Sequence, residues 1–394
     1  MMEWDYRTVW KDLEADRTDT TLSAYEEVLT RSPVARIEKD SGDGFWGVFS
    51  HEGVQAVATN ASVFSSHTAI SGARVLPLQA DPPEHGAIRR LLNPYFAPSR
   101  IRELEAGVRP IAIEMIDAMI AKGDADFSAA IAFPFPIRLL CKLMAVPDED
   151  WHFHWEWATD MDRQNASGLL KSNEEPIPMA MLGAFLPYMG KLVADRRANP
   201  GDDVVSGIAT AEIDGKPLDD ATVIGLFMSL MLGGHHTTSG ALSSFILQLA
   251  KDQPLQALLR ADPSRIPDAI EESLRLHTPQ QAMARRCVED SEVEGQAIKR
   301  GDYLLLHWGA ANVDPARWTD PGKFDIDRTS KSHFAFGRGI HQCVGASLAR
   351  MDMRVVTEEL LARTENFSVA GPIRRTGWPR LMVDQMPLRF VPRA

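Results

Sequence analysis

Between His333 and Arg350 the chain reads HFAFGRGIHQCVGASLAR, a single cysteine inside a glycine-rich turn that runs straight into a helix-forming segment. No other stretch restricts the fold as much. Gly337 and Gly339 permit backbone angles closed to other residues and let the chain lie against a flat group, while Gly345 leaves room where the next helix begins. The amides of Val344, Gly345 and Ala346 then fall at a helix N-terminus, where unpaired N–H groups favour an anion.

Three readings of the turn follow. Gly337-Arg338-Gly339 opens a nucleotide-type GxGxxG, but the sixth position is Gln342 and no compact apolar strand precedes it. Cys343 can also be a structural cysteine in a tight turn. The third reading makes it a thiolate ligand, whose charge needs hydrogen bonds around it. One cysteine cannot close a zinc site or hold an iron–sulfur cluster, whereas haem needs only one protein ligand.

The rest of the chain sets outer limits. With 394 residues and 44% hydrophobic composition it can bury a large core. A net charge of -12 argues against a general nucleic-acid binder. The longest apolar run, IGLFMSLML, is far short of the roughly 18 residues of a membrane span, and no targeting segment opens the chain. Cys141, Cys287 and Cys343 are widely spaced and form no CxxC, which fits a reducing cytoplasm.

Without repeats, low-complexity tracts or a linker, residues 1–394 are expected to form one domain, mainly α with small β-sheets. Ile101, Leu104, Val108, Ile111, Met115 and Met119 recur at helical steps, predicting a helix over Ser99–Ile120. Further helices are expected at Asp219–Leu249, Asp268–Leu276 and Gly345–Thr364. Strand signals are GFWGVFS, a hairpin in AIKRGDYLLLHWG turning at Gly301 and Asp302, and MPLRFVP.

Phe336, Gly337, Gly339, His341, Cys343 and Gly345 match every fixed position of the haem-binding signature of the cytochrome P450 family, which the chain resembles in further landmarks over most of its length. The resemblance implies that fold, with haem (iron protoporphyrin IX, heme b) between a distal helix and the Cys343 loop, and Cys343 as iron ligand. Glu272 and Arg275 in EESLRLHTP, with Arg328 in FDIDR, resemble the family's buried triad supporting the cysteine loop. His85 and Arg89 in DPPEHGAIRR, Arg285 and His333 correspond to partners of the haem propionates.

LMLGGHHTTSGAL resembles the oxygen-binding groove. Two glycines in a helix interior cost roughly 1 kcal/mol each; Gly233 and Gly234 would let the helix open locally and leave space for O2, with Thr237 guiding protons. His236 stands where the family has an acid, and imidazole can relay protons in its place. Retention of Thr237 favours O2-dependent monooxygenation over a peroxide-driven oxidase; a non-catalytic haem protein would need no groove.

By resemblance, substrate meets Ser65–Leu78, Gly168–Phe185, the long-helix stretch before Gly233, Gln280–Ala284 and Leu381–Gln385. Val75, Leu76, Leu78, Met181, Leu182, Phe227, Met283 and Met382 then suggest an apolar pocket. The length leaves no room for a fused reductase. Electrons are therefore expected from a ferredoxin, itself served by a ferredoxin reductase and NAD(P)H, docking on a basic face around Arg100, Arg338 and Arg350 with strong salt sensitivity.

Overall fold

The long segment Asp220–Lys251 is apolar on every side, so its place is inside the protein. In the computed structural model, which describes residues 18–37, 44–68, 75–168, 183–376 and 380–393, it is one 32-residue helix. Asp219 caps its start by accepting a hydrogen bond from the Thr222 amide at 2.7 Å. Around it pack the helices Pro134–Leu143, Phe185–Ala198, Ile266–Leu276 and Ala346–Arg363. Their shared apolar faces form the largest core cluster. Among the described residues no helix is long and apolar enough to cross a membrane.

The predicted helix from Ser99 spans Pro98–Ile120, and those expected near Asp268 and Gly345 span Ile266–Leu276 and Ala346–Arg363. Small sheets flank the helices. The largest runs in the order Val34–Ile37, Phe45–Val48, Tyr303–His307, Ala282–Cys287, Phe64–Ser65. Pro387–Pro392, the predicted C-terminal strand, pairs with Thr364–Val369 and Ala125–Asp126.

The hairpin expected around Gly301 and Asp302 is not formed. Gln296–Ile298 pairs instead with Ser291–Val293, where Glu294 and Gly295 take left-handed angles. Tyr303–His307 lies between Ala282–Cys287 and Phe45–Val48. Leu304 and Leu306 on that strand are almost wholly buried, and two long-range neighbours cover them better than one short local strand.

Candidate functional site

Ala346–Arg363 begins just past Cys343, so its first turn sets the position of the cysteine loop. Gly337 and Gly339 have φ of +65° and +72°. A Cβ on Gly339 would lie 2.4 Å from the Ala58 carbonyl oxygen, so only glycine allows the loop to press on the helix His51–Thr59. Inside the loop, Cys343 N–H donates to the Phe336 carbonyl at 2.9 Å. The Cys343 residue is exposed, yet desolvation of its thiol pushes the pKa up, against the Gly345 amide and the charges of Arg89 and Arg350, which favour the thiolate.

Four cationic or titratable groups converge near this loop. His85 and Arg89 come from the helix Glu84–Leu92, Arg285 from the strand Ala282–Cys287, and His341 from the cysteine loop. The His85 and His341 rings are 4.2 Å apart. Burial, then the positive charges of Arg285 and His85, hold His341 down at about 3. Burial also lowers Arg285 to about 10 and shifts His85 and Arg89 downward. Asp81, fixed by Ser65 and the Ser66 amide, is the acid acting on His85, Arg285 and His341.

Among the described residues, His85 Nε2 and His341 Nε2 are buried without a hydrogen-bond partner. A buried group of this sign with spare donors fits an anion carrying carboxylates. The contacts that His333 makes in the structure are with other groups. Its Nε2 lies 3.2 Å from Glu271, and its Nδ1 accepts from the Ala335 amide. His341, eight residues on, stands with the arginines instead.

The predicted Glu272, Arg275 and Arg328 do come together. Glu272 Oε1 accepts from Arg275 Nη2, Arg328 Nε and the Asp325 amide at 2.8–2.9 Å. Arg275, 1% exposed, also donates to the Asn312 carbonyl at 2.8 Å. Asn312 Oδ1 in turn accepts from the Phe334 amide at 2.7 Å, and Gly337 N–H donates to the Phe334 carbonyl. A continuous hydrogen-bonded path thus runs from the buried ion pair to the cysteine loop.

On the long helix the two adjacent glycines have different surroundings. Gly233 is exposed, and a Cβ there would meet nothing within 4 Å. At Gly234 a Cβ would come within 2.9 Å of Leu140 Cδ2, so this glycine seats the neighbouring helix. The helix passes through both without interruption, so the expected local opening is absent and the space at Gly233 comes from a missing side chain. Thr237 Oγ1 donates to the Gly233 carbonyl at 2.7 Å, placing the hydroxyl beside that space. His236 is 6% exposed and its ring lies 4.5 Å from that of His235.

The expected substrate residues divide. Val75 and Leu78 are exposed, and Leu76 and Met283 are partly buried against core clusters. Phe227 and Met382 are buried; Phe227 packs its ring near Phe185 and His154, as core rather than open wall. Met181 and Leu182 lie outside the described residues. The expected basic face is also smaller than its arginine count. Arg100 is paired with Asp202 and Glu103, and Arg350 with Glu271, while Arg338 donates to Gln55.

The family model described as cytochrome P450 matches residues 191–376. Linalool 8-monooxygenase of Pseudomonas putida is 30% identical over 369 residues, covering 89% of this chain and 90% of that protein. Mycinamicin IV hydroxylase/epoxidase of Micromonospora griseorubida is 32% identical over 388 residues, covering 94% and 95%. The crystal structure of CYP108D1 from Novosphingobium aromaticivorans superposes with a TM-score of 0.88 at 32% identity, covering 98% of each chain.

Proposed function

Given that the chain belongs to the cytochrome P450 family and is a monooxygenase of that family, we propose that Cys343 holds heme b and that the enzyme hydroxylates or epoxidises a small apolar compound. O2 is the co-substrate, and two electrons come from a ferredoxin served by a reductase and NAD(P)H. Thiolate-ligated haem, when bound, supplies O2 activation and transfer of one oxygen atom to a C–H or C=C bond.

The protein's part is electrostatic and steric. Arg89, Arg285, His85 and His341 bind the two carboxylates of the group, and the Gly345 amide with Arg89 and Arg350 stabilises the thiolate. Gly233 leaves open space, Thr237 holds a proton at Oγ1 beside it, and His236 relays protons to Thr237 in place of the usual acid. Relatives named for linalool, a steroid and mycinamicin IV support an apolar substrate.

The observation that carries the reading is the convergence of four cationic or titratable groups, two with orphaned nitrogens, beside an exposed cysteine. A spectrum of the dithionite-reduced protein under carbon monoxide tests it. A strongly red-shifted Soret band, lost in Cys343→Ser, is expected. Haem taken up with no such band overturns thiolate ligation; no haem uptake overturns the site.

A further inference from the structure

On a helix packed from every side, accessible surface marks an internal space. Within Asp220–Lys251, Leu226, Phe227, Leu230, Met231, His235 and His236 are at most 8% exposed. Between them Ser229, Leu232, Gly233 and Thr237 keep part of their surface. Ser229, Gly233 and Thr237 follow at steps of four, so they stand on one face, each about 6 Å further along the axis than the last. Leu232 borders that face, partly buried against the largest core cluster. The space at Gly233, where a Cβ would meet nothing within 4 Å, therefore continues along the helix toward Ser229.

The hydroxyls of this helix are used differently. Thr237 turns back onto the Gly233 carbonyl at 2.7 Å, and Ser243 onto the Gly240 carbonyl at 3.2 Å. Ser229 makes no hydrogen bond among the described residues, although it is half-buried and its chain neighbours are Met228 and Leu230. A serine inside a helix ordinarily satisfies its hydroxyl on the carbonyl four residues back or in water. Here that carbonyl is not used. A ligand that displaces water from this space and leaves the hydroxyl unmet loses affinity, whereas one that brings an oxygen to it keeps the bond.

We propose that Ser229 selects the substrate: an apolar compound with one hydroxyl or carbonyl oxygen is held by Ser229 Oγ, and the carbon oxidised lies over Gly233, about 6 Å from that oxygen. The proposal rests on the reading of the chain as a haem monooxygenase with its oxygen space at Gly233. Oγ donates to a carbonyl oxygen or accepts from a hydroxyl, so both classes fit. An ionised group meets no opposite charge among Ser229, Leu232, Gly233 and Thr237. A site built to bond one oxygen also discriminates against the same skeleton without it, because the hydroxyl is then left unpaired. The compound that reaches this enzyme has thus already been oxygenated once.

The test uses the holoenzyme with 4-isopropylcyclohexanol, whose oxygen lies across the ring from the branched carbon at the spacing just given, and isopropylcyclohexane, the same skeleton without oxygen. Kd is read by calorimetry and by the haem spin-state shift. In Ser229→Ala the Kd for the alcohol is expected to rise about fivefold, while that for the hydrocarbon stays unchanged or falls. Ser229→Thr keeps a hydroxyl at this position and is expected to restore the alcohol. The parent oxidises the alcohol at its isopropyl group, and Ser229→Ala spreads the products over the ring. The carbon monoxide band stays as in the parent in both variants, which separates recognition from folding.

Equal losses for the two probes in Ser229→Ala overturn the proposal, since lost packing alone would produce them. An unchanged Kd for the alcohol does the same. Oxidation by the parent beside the alcohol oxygen overturns the assigned spacing. A parent holoenzyme without the red-shifted band overturns the monooxygenase reading and this proposal together, whereas the band present with no Ser229-dependent difference between the probes overturns this proposal alone.

Discussion

Glu271 accepts two hydrogen bonds from Arg350, at 2.6 and 2.7 Å, and its carboxylate also meets His333 Nε2 at 3.2 Å. One side chain on the helix Ile266–Leu276 therefore ties down the chain on both sides of Cys343. Burial alone would raise its pKa, but the hydrogen bonds from Arg350 and His333 bring it down to about 2. A depressed carboxylate stabilises the fold above its unfolded value near 4.5, and that contribution is lost as pH falls toward 2.

Glu271→Gln is expected to cost about 1–2 kcal/mol at pH 7, since Arg350 is partly exposed and its pairing is screened. It should also increase the fraction of holoenzyme that loses its thiolate signature under carbon monoxide. Urea denaturation and the carbon monoxide spectrum check the two effects; no change in either would mean that the carboxylate does not anchor the loop.

The two glycines predict opposite outcomes. Gly233→Ala puts a methyl into open space and is expected to raise stability by up to about 1 kcal/mol through helix propensity, while weakening substrate turnover by filling the space beside Thr237. Gly234→Ala forces Leu140 aside and is expected to destabilise by about 1 kcal/mol, the overpacking cost exceeding the propensity gain. Leu140→Val in the same chain should recover most of that loss in a double-mutant cycle; additive losses would show that the contact is not responsible.

His154 is fully buried among Phe153, Phe185, Tyr188 and Phe227, and burial lowers its pKa to about 4, with Asp150 opposing. The folded chain keeps the ring neutral, so stability is complete above the unfolded value of about 6.5 and falls as pH drops through the window down to 4. From this group alone the loss at pH 5 is about 2 kcal/mol. His154→Phe should flatten the stability profile between pH 8 and pH 5; an equal slope in the variant rules the group out.

His236→Phe is expected to lower the yield of product per electron pair consumed by about tenfold and to raise the solvent isotope effect, if its imidazole moves protons toward Thr237. His236→Glu restores the acid of the family pattern and should recover coupling. Unchanged coupling and isotope effect in the phenylalanine variant would remove His236 from proton delivery.

The helix boundaries at Pro98–Ile120 and Asp220–Lys251 were legible because apolar spacing and end signals are local. So was the cysteine loop, whose glycines have positive φ that few other residues adopt. Three features were not. The hairpin at Gly301 failed because strand choice depends on which distant strands cover Leu304 and Leu306. His333 and His341 are interchangeable as letters; that His333 meets Glu271 while His341 lies beside Arg285 and Arg89 depends on segments far off in the chain. Gly233 and Gly234 carry the same propensity cost, and their difference lies in Leu140, nearly a hundred residues away.

Gly339 rests against the carbonyl of Ala58, and that contact joins two parts of the chain made far apart in time. A ribosome has delivered the helix His51–Thr59 long before Cys343 emerges, so the cysteine loop cannot close against that helix on a growing chain. Closure of this loop is therefore an event of the finished polypeptide, and a truncation anywhere short of the helix Ala346–Arg363 removes the residues that close it.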